Sequence, residues 1–217
     1  DVEVLARLAV GIAEAAVIED QDVQAGQREA LGEGVEPRGA DAAETVRRVI
    51  GAGAVGINLE DAPGRDGATL MAIDEQVERI AAAREAASRE GVEIYINARI
   101  DPYLAQAGAP EGRFDETVRR AQAYAGAGAD GVFVPGVADA DIIRQLVVAV
   151  GLPLNVMAGR GAGPSIAELQ ALGVARVSIG PALTLAVMAQ IRRAATEVLE
   201  QGTYASMQGG LTFPEAN

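Results

Sequence analysis

Short apolar runs and longer amphipathic stretches alternate along this chain. Runs rich in β-branched residues at 16–18, 54–59, 92–98, 131–134, 152–157 and 174–179 read as strands. Between them, at 42–51, 73–90, 114–127, 139–150 and 165–172, Ala, Arg, Glu and Leu recur at helical spacing. Another helical pattern opens the chain at 2–15, and one more spans 182–200. Strand followed by helix, repeated, predicts parallel β/α units. The runs look almost wholly apolar, as parallel strands covered on both faces require. Glycines at the helix-to-strand junctions, such as Gly53, Gly91, Gly128, Gly151 and Gly173, suit helix termination. An Ala-Gly-Ala-x-Gly echo at 52–56 and 127–131 lies two such units apart and favours a closed barrel over an open sheet. The fold expected is therefore α/β, a (β/α)8 TIM-type barrel in one domain over 1–217. Six strands are two short of that barrel, so either its first two β/α units are absent from this sequence, or the sheet is open, or a partner completes it.

Composition narrows the chemistry. Of 217 residues, 49% are apolar and 23% charged, which describes a globular core. The 18 basic residues are all Arg, against 31 Asp plus Glu, for a net charge of −13. With no His, Cys or Lys there is no Ser-His-Asp triad, no thiol nucleophile, no disulfide, no Schiff base and no zinc site of nitrogen and sulfur ligands. Proton transfer and metal binding fall to carboxylates, hydroxyls, amides and water. The negative charge disfavours nucleic acid and anionic membrane surfaces as partners. The Arg47-Arg48, Arg119-Arg120 and Arg192-Arg193 pairs read as solvated or acid-paired helix faces. The longest uncharged stretch, 177–191, is broken by Gly180-Pro181 and is shorter than the roughly 20 residues of a membrane span. No leader is visible, and the lack of Cys fits a cytoplasmic protein.

In a parallel barrel the chemistry gathers at the C-terminal ends of the strands. Asp20, Asp22 and Gln24 follow the first run; Asn58, Glu60 and Asp61 the second; Asn97, Arg99 and Asp101 the third. Asn155 and Ser178 lie in the fifth and sixth. Asp22 and Glu60, with amide oxygens nearby, suit an oxygen-ligated cation such as Mg²⁺. Arg99 offers a planar fork for a carboxylate or phosphate; buried without a ligand, it would need Glu60 or Asp101 as a partner. Asp61 and Asp101 serve equally well as helix N-caps. The Gly159-x-Gly161-x-Gly163 turn reads either as a phosphate cradle or as a flexible loop.

Five segments carry a resemblance: AVGINLED (54–61), INARID (96–101), YAGAGADGVFVPG (124–136), LPLNVMAG (152–159) and GVARVSIGPAL (173–183). In this order they resemble the isocitrate lyase and phosphoenolpyruvate mutase superfamily over about four-fifths of the chain. The resemblance implies a (β/α)8 barrel, a Mg²⁺ ion, and a small 2-oxo or 2-hydroxy carboxylate whose C–C or P–C bond is made or broken through an enolate. It implies a homodimer or homotetramer in which the 182–200 helix is exchanged between subunits. By position, Asp22 matches the direct metal ligand, Gln24 stands where a second acid usually holds a metal-bound water, and Glu60 matches an acid acting through such a water. Arg99 matches the arginine that grips the substrate carboxylate, with Asn97 and Asn155 as further substrate contacts. The Lys-x-Cys-Gly-His loop of isocitrate and methylisocitrate lyases is missing, since 62–70 holds no Cys, His or Lys, and the strand ending at Val134 lacks their Glu. The enzyme expected is thus a lyase, mutase or hydrolase other than a standard isocitrate lyase. The rival readings are an oxo-acid-binding barrel without catalysis and a phosphate-binding barrel synthase.

Overall fold

The computed structural model describes residues 17–19, 39–62, 69–159, 161 and 163–216. The expected 2–15 helix, Asp20, Asp22, Gln24, most of the charged 27–40 loop and residues 63–68 lie outside them. The elements alternate as the pattern predicts: β1 (Val17–Glu19), α1 (Gly39–Gly51), β2 (Gly56–Glu60), α2 (Ile73–Arg89), β3 (Tyr95–Arg99), α3 (Arg113–Gly126) and β4 (Gly131–Val134). Then come α4 (Ala140–Ala149), β5 (Leu154–Met157), α5 (Ile166–Ala171), β6 (Arg176–Ser178) and α6 (Ala182–Gln201), with a last turn, α7 (Phe213–Ala216). All strand pairs are parallel, and the sheet order is the chain order, β1 to β6. Consecutive β/α units laid side by side are the expected α/β architecture.

The strands depart from the expectation in one respect. They are not apolar throughout but alternate, as the two-residue period of a strand allows. Ile57, Leu59, Ile96, Ala98, Val132, Val134, Leu154 and Val156 join the buried cluster that includes Val46, Ile80, Ala121, Tyr124, Ile143 and Leu146 of the helices. The interleaved positions Asn58, Glu60, Asn97 and Asn155 are buried and polar, and Arg99 is nearly so. Register sets them level: Asn58 opposite Asn97, Glu60 opposite Arg99, and Phe133 opposite both Arg99 and Asn155. One face of the sheet therefore builds the core under the helices, and the other carries polar groups toward its C-terminal edge. Among the described residues no helix is long and apolar enough to cross a membrane.

The turn after β4 steadies the loop after β3. Gly136 has φ +86, and a Cβ there would lie 2.7 Å from the Leu104 nitrogen and 2.8 Å from its Cα. Both contacts are backbone, which cannot rotate aside. Gly136→Ala is expected to destabilise the protein by roughly 1–3 kcal/mol, from left-handed strain plus overpacking. Urea unfolding measures this, and an unchanged midpoint would show that the loop yields at no cost.

Candidate active site

Arg99 closes β3, and its guanidinium is held between two carboxylates. Nε and Nη2 donate to the two oxygens of Asp101 at 2.8 and 2.9 Å, and Nη1 lies 2.6 Å from Glu60 Oε2 at the end of β2. The side chains of Arg99, Glu60 and Asp101 are only 12%, 5% and 3% exposed, so water screens these pairs little. The arginine expected to need one carboxylate partner has both candidates. Its bidentate grip by Asp101 fixes the plane of the fork, which a single contact would leave free to rotate.

Around this centre the amides are paired. Asn97 Nδ2 donates to Asn58 Oδ1 at 2.7 Å, across β2 and β3. Asn155 and Ser178 exchange hydrogen bonds between β5 and β6 at 3.1 and 3.2 Å. The structure thus brings Glu60, Arg99 and Asn97 together on neighbouring strands, and places Asn155 on the same face two strands away from β3. Asp22 and Gln24 lie outside the described residues.

Asp61 and Asp101 are not helix caps, contrary to one expectation. The α2 helix begins after Ala72 and α3 after Gly112, neither with a side-chain cap. Asp61 is fully buried and accepts from three groups: the Asp101 amide at 3.0 Å, Arg120 Nη1 at 2.9 Å and the Tyr124 hydroxyl at 2.9 Å. Burial raises the Asp61 carboxyl above the usual carboxylate range, with Arg120 its strongest opposing influence. Burial likewise raises the Tyr124 hydroxyl, reinforced by the charge of Asp61, so Tyr124 stays a neutral donor. Of the Arg119-Arg120 pair, Arg119 is solvated and paired with Glu116, whereas Arg120 is 5% exposed and faces inward.

The ends of the loop that follows β2 are pinned as well. Met71 N donates to Asp61 O at 2.8 Å, and Arg120 Nη1 donates to Met71 O at 3.0 Å. From α2, Gln76 Nε2 reaches Leu59 O at 3.0 Å and Arg79 Nη1 reaches Glu60 O at 2.9 Å. These carbonyls lie at or beyond the end of a ladder, where further strand pairing cannot satisfy them. Arg79, Arg120 and Tyr124 were not singled out for the site from the sequence, yet all are buried charged or hydroxyl-bearing residues on helices. The signal was the helical spacing: Gln76 and Arg79, like Arg120 and Tyr124, fall on the buried faces of α2 and α3.

The helix after the Gly159–Gly163 turn, α5, opens on a capping box: the Ser165 hydroxyl accepts from the Glu168 amide, and the Glu168 carboxylate accepts from the Ser165 amide. As for a cation, no cluster of three acidic residues among the described residues suits one. The donors at the strand ends are all oxygen, with Glu60 the carboxylate nearest Arg99, and that chemistry fits Mg²⁺ rather than zinc.

The family model described as phosphoenolpyruvate phosphomutase matches residues 31–199. The chain is 35% identical to 2-methylisocitrate lyase of Escherichia coli over 118 residues, which cover 52% of this chain and 37% of that protein. A protein of Burkholderia cenocepacia J2315 provisionally assigned as a lyase/mutase superposes with a TM-score of 0.74 at 42% identity, over 82% of this chain and 63% of that one. The 2,3-dimethylmalate lyase structure, itself assigned to the phosphoenolpyruvate mutase/isocitrate lyase superfamily, gives 0.69 at 27% identity over 82% of this chain and 61% of the other. The chain spans 37–44% of the length of the curated relatives it matches.

Proposed function

The chain belongs to the phosphoenolpyruvate phosphomutase family, of the phosphoenolpyruvate mutase/isocitrate lyase superfamily, and from that premise we propose that it is a Mg²⁺-dependent lyase, mutase or hydrolase. Its substrate is a small 2-oxo or 2-hydroxy carboxylate, and a C–C or P–C bond is made or broken through an enolate. The observation that carries this reading is the buried Arg99, oriented by Asp101 and facing Glu60 at the strand ends. A guanidinium held this way binds a planar carboxylate along a preset plane. The substrate carboxylate replaces Glu60 against Arg99, and Asn97 and Asn155 lie on the same face to orient the rest of the molecule. Glu60 and Asp22, with Gln24 beside Asp22, would hold the cation. When bound, Mg²⁺ supplies Lewis-acid stabilisation of the negative charge that develops on the enolate oxygen. Arg99 adds a fixed positive charge beside the same region at no cost of reorganisation.

Oxalate, a stable mimic of the pyruvate enolate, tests this directly by calorimetric titration with and without Mg²⁺. Binding that requires Mg²⁺ is expected; no binding under either condition would sink the reading. A second reading, a binding barrel without turnover, is favoured by Gln24 in the place of an acid and by the loop without Cys, His or Lys. Oxalate binding with no turnover across a panel of 2-oxo and 2-hydroxy acids would establish it.

The partner we propose is a second copy of the chain. The α6 helix buries none of its residues, and Leu183, Leu185, Met188 and Ile191 are each about half exposed or more. Such a row of apolar side chains is unusual on a surface that faces water. A dimer or tetramer is expected by light scattering, and a monomer at micromolar concentration would remove this part of the proposal.

A further inference from the structure

A chain of buried contacts runs from helix α3 to Arg99. Tyr124 and Arg120 hold one oxygen of Asp61, each at 2.9 Å, and the other oxygen accepts the Asp101 amide at 3.0 Å. The Asp101 carboxylate then grips Arg99 through both of its oxygens. Asp61 also spans the strand ends through its backbone, donating to Arg99 O at 3.2 Å and accepting from Met71 N at 2.8 Å. Asp61 is 0% exposed and Asp101 2%, so neither side chain meets a ligand from solvent where it stands.

We propose that Asp61 is a positioning residue for the carboxylate-binding fork: through the Asp101 amide it fixes the backbone whose side chain orients Arg99. The inference rests on the reading of Arg99 as the carboxylate grip. Two features distinguish it from simple core stability. Asp61 spends one whole oxygen on the residue that aims Arg99, although an amide at that place could bond to any nearby carbonyl-like acceptor. Its other oxygen is fixed by a neutral hydroxyl and a guanidinium whose Nε is itself held by Glu116 at 2.7 Å. The anchor is therefore rigid on the side away from the site, and motion of Asp101 requires breaking a charge-assisted hydrogen bond. Pre-set geometry of this kind affects ligand affinity because the fork need not be ordered on binding.

The test is a double-mutant cycle read by Mg²⁺-dependent oxalate binding, with Asp61→Asn introduced into the wild-type protein and into Arg99→Ala. With Arg120 and Tyr124 in place the single oxygen of Asn cannot serve both them and the Asp101 amide, so Asp61→Asn is expected to weaken oxalate at least tenfold in the wild-type background and less than twofold when Arg99 is already gone. A second readout needs no ligand: hydrogen exchange of the Arg99 Nε–H, identified by its loss in Arg99→Ala, should quicken at least tenfold. Equal weakening in both backgrounds, or unchanged exchange, would overturn the proposal. Should Asp61→Asn fail to fold, Tyr124→Phe removes one hydrogen bond to Asp61 and keeps the ring. It should then give about threefold effects with the same dependence on Arg99, and no effect would overturn the proposal equally. Wild-type protein that binds no oxalate would instead defeat the reading of Arg99, while the exchange experiment would still show whether Asp61 steadies the guanidinium.

Discussion

Arg99→Ala is expected to weaken Mg²⁺-dependent oxalate binding by about 100-fold. Hydrogen bonds to a charged group contribute roughly 1.5–3 kcal/mol each, and two of them in a preset fork give about 3 kcal/mol, which is two decades of affinity. The same substitution removes the partner of two nearly buried carboxylates, Glu60 and Asp101, so stability falls as well. Arg99→Lys separates the two effects. An ammonium keeps the charge between the acids but cannot offer two parallel N–H groups to Asp101 and a second pair to the ligand. It should retain most of the stability and still lose about tenfold in affinity. Urea unfolding and calorimetry on both variants give the answer, and an oxalate affinity unchanged in Arg99→Ala would remove Arg99 from the site.

The reasons for that expectation were legible in the sequence to different depths. The β/α alternation was plain because parallel units repeat one pattern, and each predicted strand overlaps an observed one, with ends that coincide or shift by up to three residues. The shift has a cause at β3: Val92 and Ile94, either side of Glu93, resemble strand, yet the backbone begins its ladder only at Tyr95. Arg99 and Glu60 stood out because a charge at the end of an apolar run is costly to bury without purpose. The alternation inside the strands was missed since small and apolar residues dominate the runs, although Asn58-x-Glu60 and Asn97-x-Arg99 already showed the two-residue period. Asp61 and Asp101 were harder still. A carboxylate just beyond a strand suits a helix cap, and only the three-dimensional approach of α3 shows that Asp61 faces Arg120, 59 residues away. Contacts of that sequence separation leave no local pattern, beyond the hint that Arg120 and Tyr124 share one helix face.

Arg120→Met should destabilise the fold more than any other single change considered, by roughly 3–5 kcal/mol, the usual result of removing one partner from a buried ion pair. Asp61 has no exposure, so it cannot recover the lost guanidinium by turning to water. Two hydrogen bonds to it remain, from Tyr124 and the Asp101 amide, and neither carries a positive charge. The loop end loses a contact in the same stroke, since Arg120 also holds Met71 O. Against a total stability of about 5–15 kcal/mol this is a large fraction. If the cost comes from the stranded charge rather than from lost packing, a second substitution should recover part of it. Asp61→Asn added to Arg120→Met removes the unpaired carboxylate while keeping its shape and an acceptor for the Asp101 amide. The double variant should therefore be more stable than Arg120→Met alone, although it departs further from the natural sequence. Urea unfolding of the three variants decides the matter: a double variant less stable than Arg120→Met would mean that Arg120 matters here for its bulk and its bond to Met71, with the charge on Asp61 secondary.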